Sequence, residues 1–236
     1  MSSRTEILDS IKNALADVKS SQTQTQEAPK TPEIWSIKGT PTSELANIFA
    51  ENLQAVAGRA FLCPDETSAV AQIREQLEQV AAASGKETPY LLGVYDSELA
   101  QTIAASALAD APSWKMMNAP TDPKVDPKTY EPMTASLISP IVLLSDTGSC
   151  AVEGRSAFER LLFYLSPACF VVALESQLRE HLPHAWKEIE TIMRRPDQPG
   201  EIALITGPSR TADIEKKLVL GVHGPQKLYV FIIKGK

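Results

Sequence analysis

Between residues 5 and 19 apolar side chains recur every three or four positions, at Ile7, Leu8, Ile11, Leu15 and Val18, with Glu6, Lys12, Asp17 and Lys19 among the polar residues between them. That period predicts an amphipathic helix over 1–19. Residues 20–32 lose the pattern in a Ser/Gln/Thr run that ends with Pro29 and Pro32, which predicts a flexible linker ahead of a single α/β domain over 33–236. From Pro41 a second helix is expected, with Thr42 or Ser43 as its N-cap, Leu45, Ile48, Phe49, Leu53 and Val56 as its inner stripe, and Gly58 as its stop. Ala60 to Cys63 then reads as a buried strand, followed by a helix over 66–83 closed by Gly85, a strand over 90–94 and a helix over 97–108. Such alternation predicts parallel βαβ units.

Residues 111–132 hold five prolines and little periodicity, and predict a loop across the surface. Beyond it, 139–144 and 149–152 read as strands joined by Ser145-Asp146-Thr147-Gly148, and 169–174 as a further strand. A helix over 176–194, interrupted at Pro183, follows; strands over 201–206 and 228–233, with a short helix between them, close the chain. The sum is a three-layer α/β sandwich with a mixed, mostly parallel sheet and an added N-terminal helix.

The chain has 236 residues, 43% hydrophobic and 22% charged, which suits one large domain with a small appendage. A net charge of -6 argues against nonspecific capture of nucleic acid or anionic lipid, while leaving room for a small cationic site. Cys63, Cys150 and Cys169 are too far apart in sequence for a C-x-x-C pair or an iron–sulfur ligand run, so any such cluster is expected on a partner. The absence of a signal-type apolar stretch, of any run approaching a membrane span and of a cysteine framework leads to a cytoplasmic expectation.

The densest candidate chemistry lies in Ile205-Thr206-Gly207-Pro208-Ser209-Arg210-Thr211-Ala212-Asp213-Ile214-Glu215. Read as strand, Gly-Pro turn and helix start, it would offer free backbone N–H groups to a phosphate or carboxylate, with Arg210 as a bidentate clamp. The same residues also suit a turn followed by a capped helix, with Ser209 or Thr211 as the cap. In Gly221-Val222-His223-Gly224-Pro225, His223 could carry a proton, or could simply occupy a glycine-rich helix end. A nine-residue helix between these two loops would hold them about 14 Å apart, so sharing a pocket would require a fold-back or a second subunit.

Asp146-Thr147-Gly148-Ser149 after an apolar run looks like an aspartic-protease loop, but that chemistry needs two aspartates and one copy is present. The plain alternative is a hairpin turned by Gly148. His181 and His184, with Glu180 and Glu188, suggest a metal face that Pro183 breaks, so no metal site is assigned. Arg194 and Arg195 fit a helix C-terminus, and Trp35, Trp114 and Trp186 do not cluster as a base-stacking platform.

The 205–215 run together with Leu218-Val219-Leu220-Gly221-Val222-His223-Gly224-Pro225 resembles the closing signature of the LUD-domain family, in its lactate-utilisation protein C (LutC, YkgG) branch. The turn at Ser145 to Ser149 followed by Arg160 and Pro167 is similar to the family's middle section, and Arg4 to Leu15 to its first helix. The family pattern has Glu-Thr-Gly in the middle turn and His after the proline; Asp146 and Cys169 stand there instead, so roles tied to those groups do not carry over. The resemblance implies a fold like the NagB/RpiA/CoA-transferase group and a part in oxidising L-lactate to pyruvate beside two iron–sulfur proteins. On that basis Gly207, Pro208, Ser209, Arg210 and Thr211, with Asp146, Thr147, Gly148, Ser149 and Gly224, are the expected binding residues for a small anionic substrate or cofactor. His223 is the expected proton acceptor. No cofactor is assigned to the chain itself, and nucleotide, CoA and homo-oligomer are left open. Two other readings remain: a non-catalytic assembly subunit docking through residues 5–19, and a freestanding protein that binds or transfers a CoA ester or sugar phosphate, for which Glu153 is the nearest glutamate to the turn.

Overall fold

The periodic segments take the expected forms in a computed structural model, which describes residues 3–21, 38–118, 126–195, 201–212, 218–220 and 224–235. Contacts divide the chain into two units, Met1–Ile34 and Trp35–Lys236. The first holds α1 (Ser3–Ser21), whose Ile7, Leu8 and Ile11 are all exposed. The expected 20–32 linker lies almost wholly outside the described residues.

In the second unit α2 (Thr42–Ala55) leads to β1 (Arg59–Cys63), α3 (Glu66–Ser84), β2 (Tyr90–Val94) and α4 (Glu98–Leu108). Two of these helices start where the sequence supplies a cap: Asp65 accepts from the Ser68 N–H at 2.7 Å and Ser97 from the Ala100 N–H at 3.2 Å. α2 starts after Pro41 without a side-chain cap, so neither Thr42 nor Ser43 caps it. The turn after it falls at Ala57, with φ +68°, one residue before the expected Gly58. Gly85 closes α3 in the left-handed conformation, φ +62°.

Several other expectations need correction. The 111–132 segment contains a strand, β3 (Trp114–Met117), which lacks clean alternation yet pairs in parallel with β2. The expected 139–144 strand forms only over its last three residues, as β5 (Val142–Leu144), and an unanticipated strand β4 (Ala135–Ile138) precedes it in a different sheet, because Pro140 has no N–H to continue a ladder between them. After β6 (Ser149–Gly154) comes an unanticipated helix, α5 (Ala157–Tyr164), capped by Ser156 onto the Glu159 N–H at 3.2 Å. After β7 (Ala168–Leu174), the expected 176–194 helix is a 3-10 turn, Glu175–Gln177, a short strand β8 (Leu178–Arg179) and α6 (Leu182–Met193). Pro183 sits in the first turn of α6, where it has no hydrogen bond to lose.

The chain ends with β9 (Glu201–Ile205), β10 (Arg210–Ala212), β11 (Leu218–Leu220) and β12 (Lys227–Ile233). Where a helix was expected between the last long strands, Arg210, Thr211 and Ala212 pair antiparallel with Leu220, Val219 and Leu218. β-branched Thr211 and Val219 directly opposite each other favour that ladder over a helix. The helix N-terminus expected at Ser209 or Thr211 is therefore not there.

The sheet is also not a single mixed one. Six strands in the order β1-β12-β7-β4-β2-β3 are all parallel, and the antiparallel pairs fall in two separate sheets, the four-stranded β8-β5-β6-β9 and the two-stranded β10-β11. The parallel sheet is built from near-continuous apolar runs, as strands covered on both faces must be, with Phe61, Phe231 and Phe170 in a stacked series across its centre. The small sheet uses both faces as well. Leu143, Cys150 and Val152 join the main core, whereas Val142, Leu144 and Ala151 meet Ala185 and Ile189 of α6. Among the described residues, no helix is long and apolar enough to cross a membrane.

Candidate functional site

The β5–β6 turn is fixed from three sides. Asn52 of α2 donates from Nδ2 to the Ser145 carbonyl at 2.8 Å, and the Ser145 and Asp146 N–H groups donate to the Arg179 and Glu180 carbonyls at 2.9 and 3.1 Å. Gly148, at φ +64°, lies so close to α2 that a Cβ there would stand 2.4 Å from the Leu53 nitrogen. A second turn meets the same helix: Gly207 has φ +81°, and a Cβ on it would stand 2.6 Å from the Val56 carbonyl oxygen. Leu53 and Val56 are one helical turn apart, so α2 brings the two sequence-predicted loops side by side.

Their side chains meet as well. The Ser149 hydroxyl donates to Thr147 Oγ1 at 2.7 Å and lies 2.7 Å from Thr206 Oγ1; Thr147 donates to Asp146 Oδ1 at 3.4 Å. Asp146 Oδ2 is 3.2 Å from Nδ1 of His181, a ring that is 1% exposed at the start of α6. Ser209 N–H donates to the Pro225 carbonyl at 2.8 Å, and a Cβ on Gly224 would stand 3.0 Å from Ser209 Cβ. The expected separation of 207–211 from 224–225 thus disappears: the antiparallel β10–β11 pair returns the chain to its starting point, which a helix could not do.

A cleft of about 470 Å³ opens on this junction, lined by Phe163, Tyr164, Thr206, Gly207, Ser209 and Gly224 among others. Pro208 also lines it. Arg210 is exposed at the head of β10 and is not part of the lining, and Thr211 is placed in β10 opposite Val219. His223 lies outside the described residues.

The sequence signals for His181, Thr206 and Asn52 were missed or misread. The spacing of His181 with His184, Glu180 and Glu188 suggests a metal face, but His181 pairs with Asp146, His184 Nδ1 lies 3.1 Å from Glu180 Oε2, and Glu188 pairs with Arg179 at 2.9 Å. No group of three or more His, Cys, Asp or Glu is placed to hold a metal among the described residues. An imidazole, not a second aspartate, faces Asp146. Farther off, Arg194 pairs with Glu190 at 2.6 Å, and Arg195 lies 3.6 Å from Glu153, whose side chain is buried. Burial pushes all three thiols up, Cys63 to about 11 and Cys169 to about 12, so they are packing groups rather than nucleophiles.

Both turns, the cleft and α2 from Ala46 onward fall inside residues 46–233, the span matched by the LUD domain family model. The chain belongs to the LUD domain family. This LUD domain is similar to proteins named Lactate utilization protein C. The one from Macrococcus caseolyticus is 34% identical over 110 residues, covering 46% of this chain and 43% of that protein. The one from Geobacillus thermodenitrificans is 31% identical over 93 residues, 39% of each, and the one from Anoxybacillus flavithermus 28% identical over 165 residues, 69% of this chain and 70% of that one. The chain spans about two fifths of the length of the first of these relatives. A crystal structure of a DUF162 family protein from Deinococcus radiodurans superposes with a TM-score of 0.47 at 14% identity, over 82% of this chain and 99% of that one. In this LUD domain the residues with chemistry to offer are thus the carboxylate, imidazole and hydroxyls gathered where two glycine turns rest on α2.

Proposed function

We propose that this LUD domain takes part in oxidising L-lactate to pyruvate in the cytoplasm, beside two iron–sulfur partner proteins, and that it holds an anionic substrate or cofactor at the loop running from Gly207 through Pro208, Ser209 and Arg210 to Thr211. The observation that carries this reading is that the loop's Gly207, Pro208 and Ser209 line a cleft whose neighbouring Thr206 is hydrogen-bonded at 2.7 Å to Ser149 of the Asp146–Ser149 turn. Arg210 directly follows Ser209 of the cleft lining and carries a guanidinium able to clamp a carboxylate or phosphate. Because a strand and not a helix begins at Arg210, the guanidinium is the main anion-binding charge of the loop.

The test is Arg210→Ala in the complete lactate-oxidising system. The expected result is a rise in the KM for L-lactate of at least about tenfold, as for a lost charge-assisted hydrogen bond. Unchanged kinetics would remove the clamp.

A second reading, in which the chain is an assembly subunit, draws on exposed Ile7, Leu8 and Ile11 along one side of α1. Deleting residues 1–32 should then abolish co-purification with the iron–sulfur partners while ligand binding survives; unchanged assembly would reject it.

A further inference from the structure

The hydroxyls between the cleft and Asp146 have one consistent direction. Each hydroxyl owns a single proton. Thr147 gives its proton to Asp146 Oδ1 and Ser149 gives its own to Thr147 Oγ1, so the 2.7 Å contact between Ser149 and Thr206 is made with the Thr206 proton. Thr206 is a residue of the cleft lining, and its Oγ1, having given its proton to Ser149, is left as an acceptor toward a ligand held there. Ser149 is only 4% exposed, so the middle of the chain has no side access for water. The far end is different: Thr147 is exposed at the turn, and Asp146, with 18% of its side chain exposed, rests on His181.

We infer that Thr206, Ser149, Thr147 and Asp146 form a proton relay that takes a proton from a hydroxyl-bearing ligand in the cleft and delivers it to the Asp146–His181 pair at the turn. The inference rests on the lactate reading above and supplies its base from described residues, without His223. In the step, the ligand O–H bond breaks and a new O–H bond forms at Thr206. The Thr206 proton passes to Ser149, the Ser149 proton to Thr147 and the Thr147 proton to Asp146 Oδ1. One proton leaves the ligand, one arrives on the carboxylate, and the negative charge moves from Asp146 to the ligand oxygen. No electron is transferred in the relay. Release of the proton to water at the exposed turn, followed by rotation of each hydroxyl about its C–O bond, restores the starting direction. Thr206 is the catalytic residue of the set, since it touches the ligand; Ser149, Thr147, Asp146 and His181 act through it.

The ligand chemistry follows from the orientation. An acceptor at the cleft wall favours a donor, so an α-hydroxy acid is preferred over the corresponding α-keto acid, whose carbonyl oxygen would face a lone pair.

The experiment compares L-lactate oxidation by the complete system containing wild-type chain, Ser149→Ala, Ser149→Thr, Thr206→Val, Thr206→Ser or no chain, in mixtures of H2O and D2O, with each variant's thermal midpoint measured alongside. The relay predicts a bowed dependence of kcat on the deuterium fraction for the wild type, as more than one proton moves. For Ser149→Ala and Thr206→Val it predicts a kcat lower by about 100-fold or more, the scale of lost acid–base catalysis, with a linear isotope dependence. Ser149→Thr and Thr206→Ser should restore both. If the system oxidises L-lactate equally well without the chain, the lactate reading falls and the relay with it. If the chain is required but Ser149→Ala and Thr206→Val turn over like the wild type, the relay alone is overturned. It is equally overturned if those variants are slow but keep the bowed isotope curve, since the hydroxyls then only hold the turns in place.

Discussion

Replacing Gly148 by alanine should damage the protein far more than the same change at Gly85, although both residues have nearly equal backbone angles, φ +64° and +62°. At Gly85 an added Cβ meets nothing within 4 Å, so its cost is the left-handed conformation alone, about 1–2 kcal/mol. At Gly148 the Cβ would stand 2.4 Å from the Leu53 nitrogen, 2.7 Å from its Cα and 2.8 Å from the Asn52 carbonyl carbon. These are backbone atoms inside a helix and cannot rotate away. Relief requires the β5–β6 turn to leave α2, which adds about 1–3 kcal/mol of overpacking and strain. The expected destabilisation is thus about 2–5 kcal/mol for Gly148→Ala against about 1–2 kcal/mol for Gly85→Ala. Urea unfolding of both variants, read at constant m-value, measures the difference. Because the turn also carries Ser149, the Gly148 variant should lose turnover even under conditions where it stays folded. Equal midpoints for the two variants would refute the close approach of the turn to α2, and with it the argument that one helix positions both loops.

Other consequences are spread over the fold. Arg155 holds the carboxylate of Glu159, 97% buried, by several hydrogen bonds and an i,i+4 ion pair, and that bonding raises the guanidinium above its ordinary range. Arg155→Met leaves this carboxylate uncompensated and should cost about 2–4 kcal/mol in urea unfolding, while adding Glu159→Leu recovers most of it; no recovery in the double variant would contradict the reading. The raised thiols set an alkaline limit. In the unfolded chain cysteines ionise near 9.0, whereas in the fold Cys63 waits until about 11 and Cys169 until about 12, so above pH 9 the unfolded state binds fewer protons. Stability must then fall as pH rises, by up to about 4 kcal/mol per pH unit if all three thiols contribute. A urea midpoint that stays level from pH 8 to 10.5 would disprove it. Ser97→Ala removes the cap of α4 and should cost about 1 kcal/mol, seen as a small drop in thermal midpoint.

Much of the frame was legible in the sequence because its signals are local. The caps Asp65 and Ser97, the stop at Gly85 and the alternation of apolar runs with amphipathic stretches were enough for α3, β2 and α4. β3 was hidden because an edge strand needs only one partner, and Trp114 to Met117 lies among prolines. The 205–220 region misled for a different reason: Ser209, Thr211 and Asp213 offer helix-start residues, but pairing of Thr211 with Val219 is a nonlocal fact that no local propensity contains. The site was half legible. Glycine turns and their polar neighbours stand out in a sequence; what joins them does not. Thr206 is 57 residues from its partner Ser149 and His181 is 35 from Asp146, while Asn52 reaches over 93 residues to Ser145. His181 in particular carried a misleading local signal, since Glu180, His184 and Glu188 surround it at helical spacing, while its partner sits on another strand pair.

If this LUD domain works at lactate oxidation with iron–sulfur partners, as proposed, it must be isolated from cells in their company. The direct measurement is to purify the tagged chain from its native cells grown on L-lactate and record the visible spectrum of what accompanies it, before and after adding L-lactate. The expected result is a co-purifying iron–sulfur chromophore that bleaches on addition of L-lactate. A colourless protein, isolated alone and unchanged by L-lactate, would contradict it.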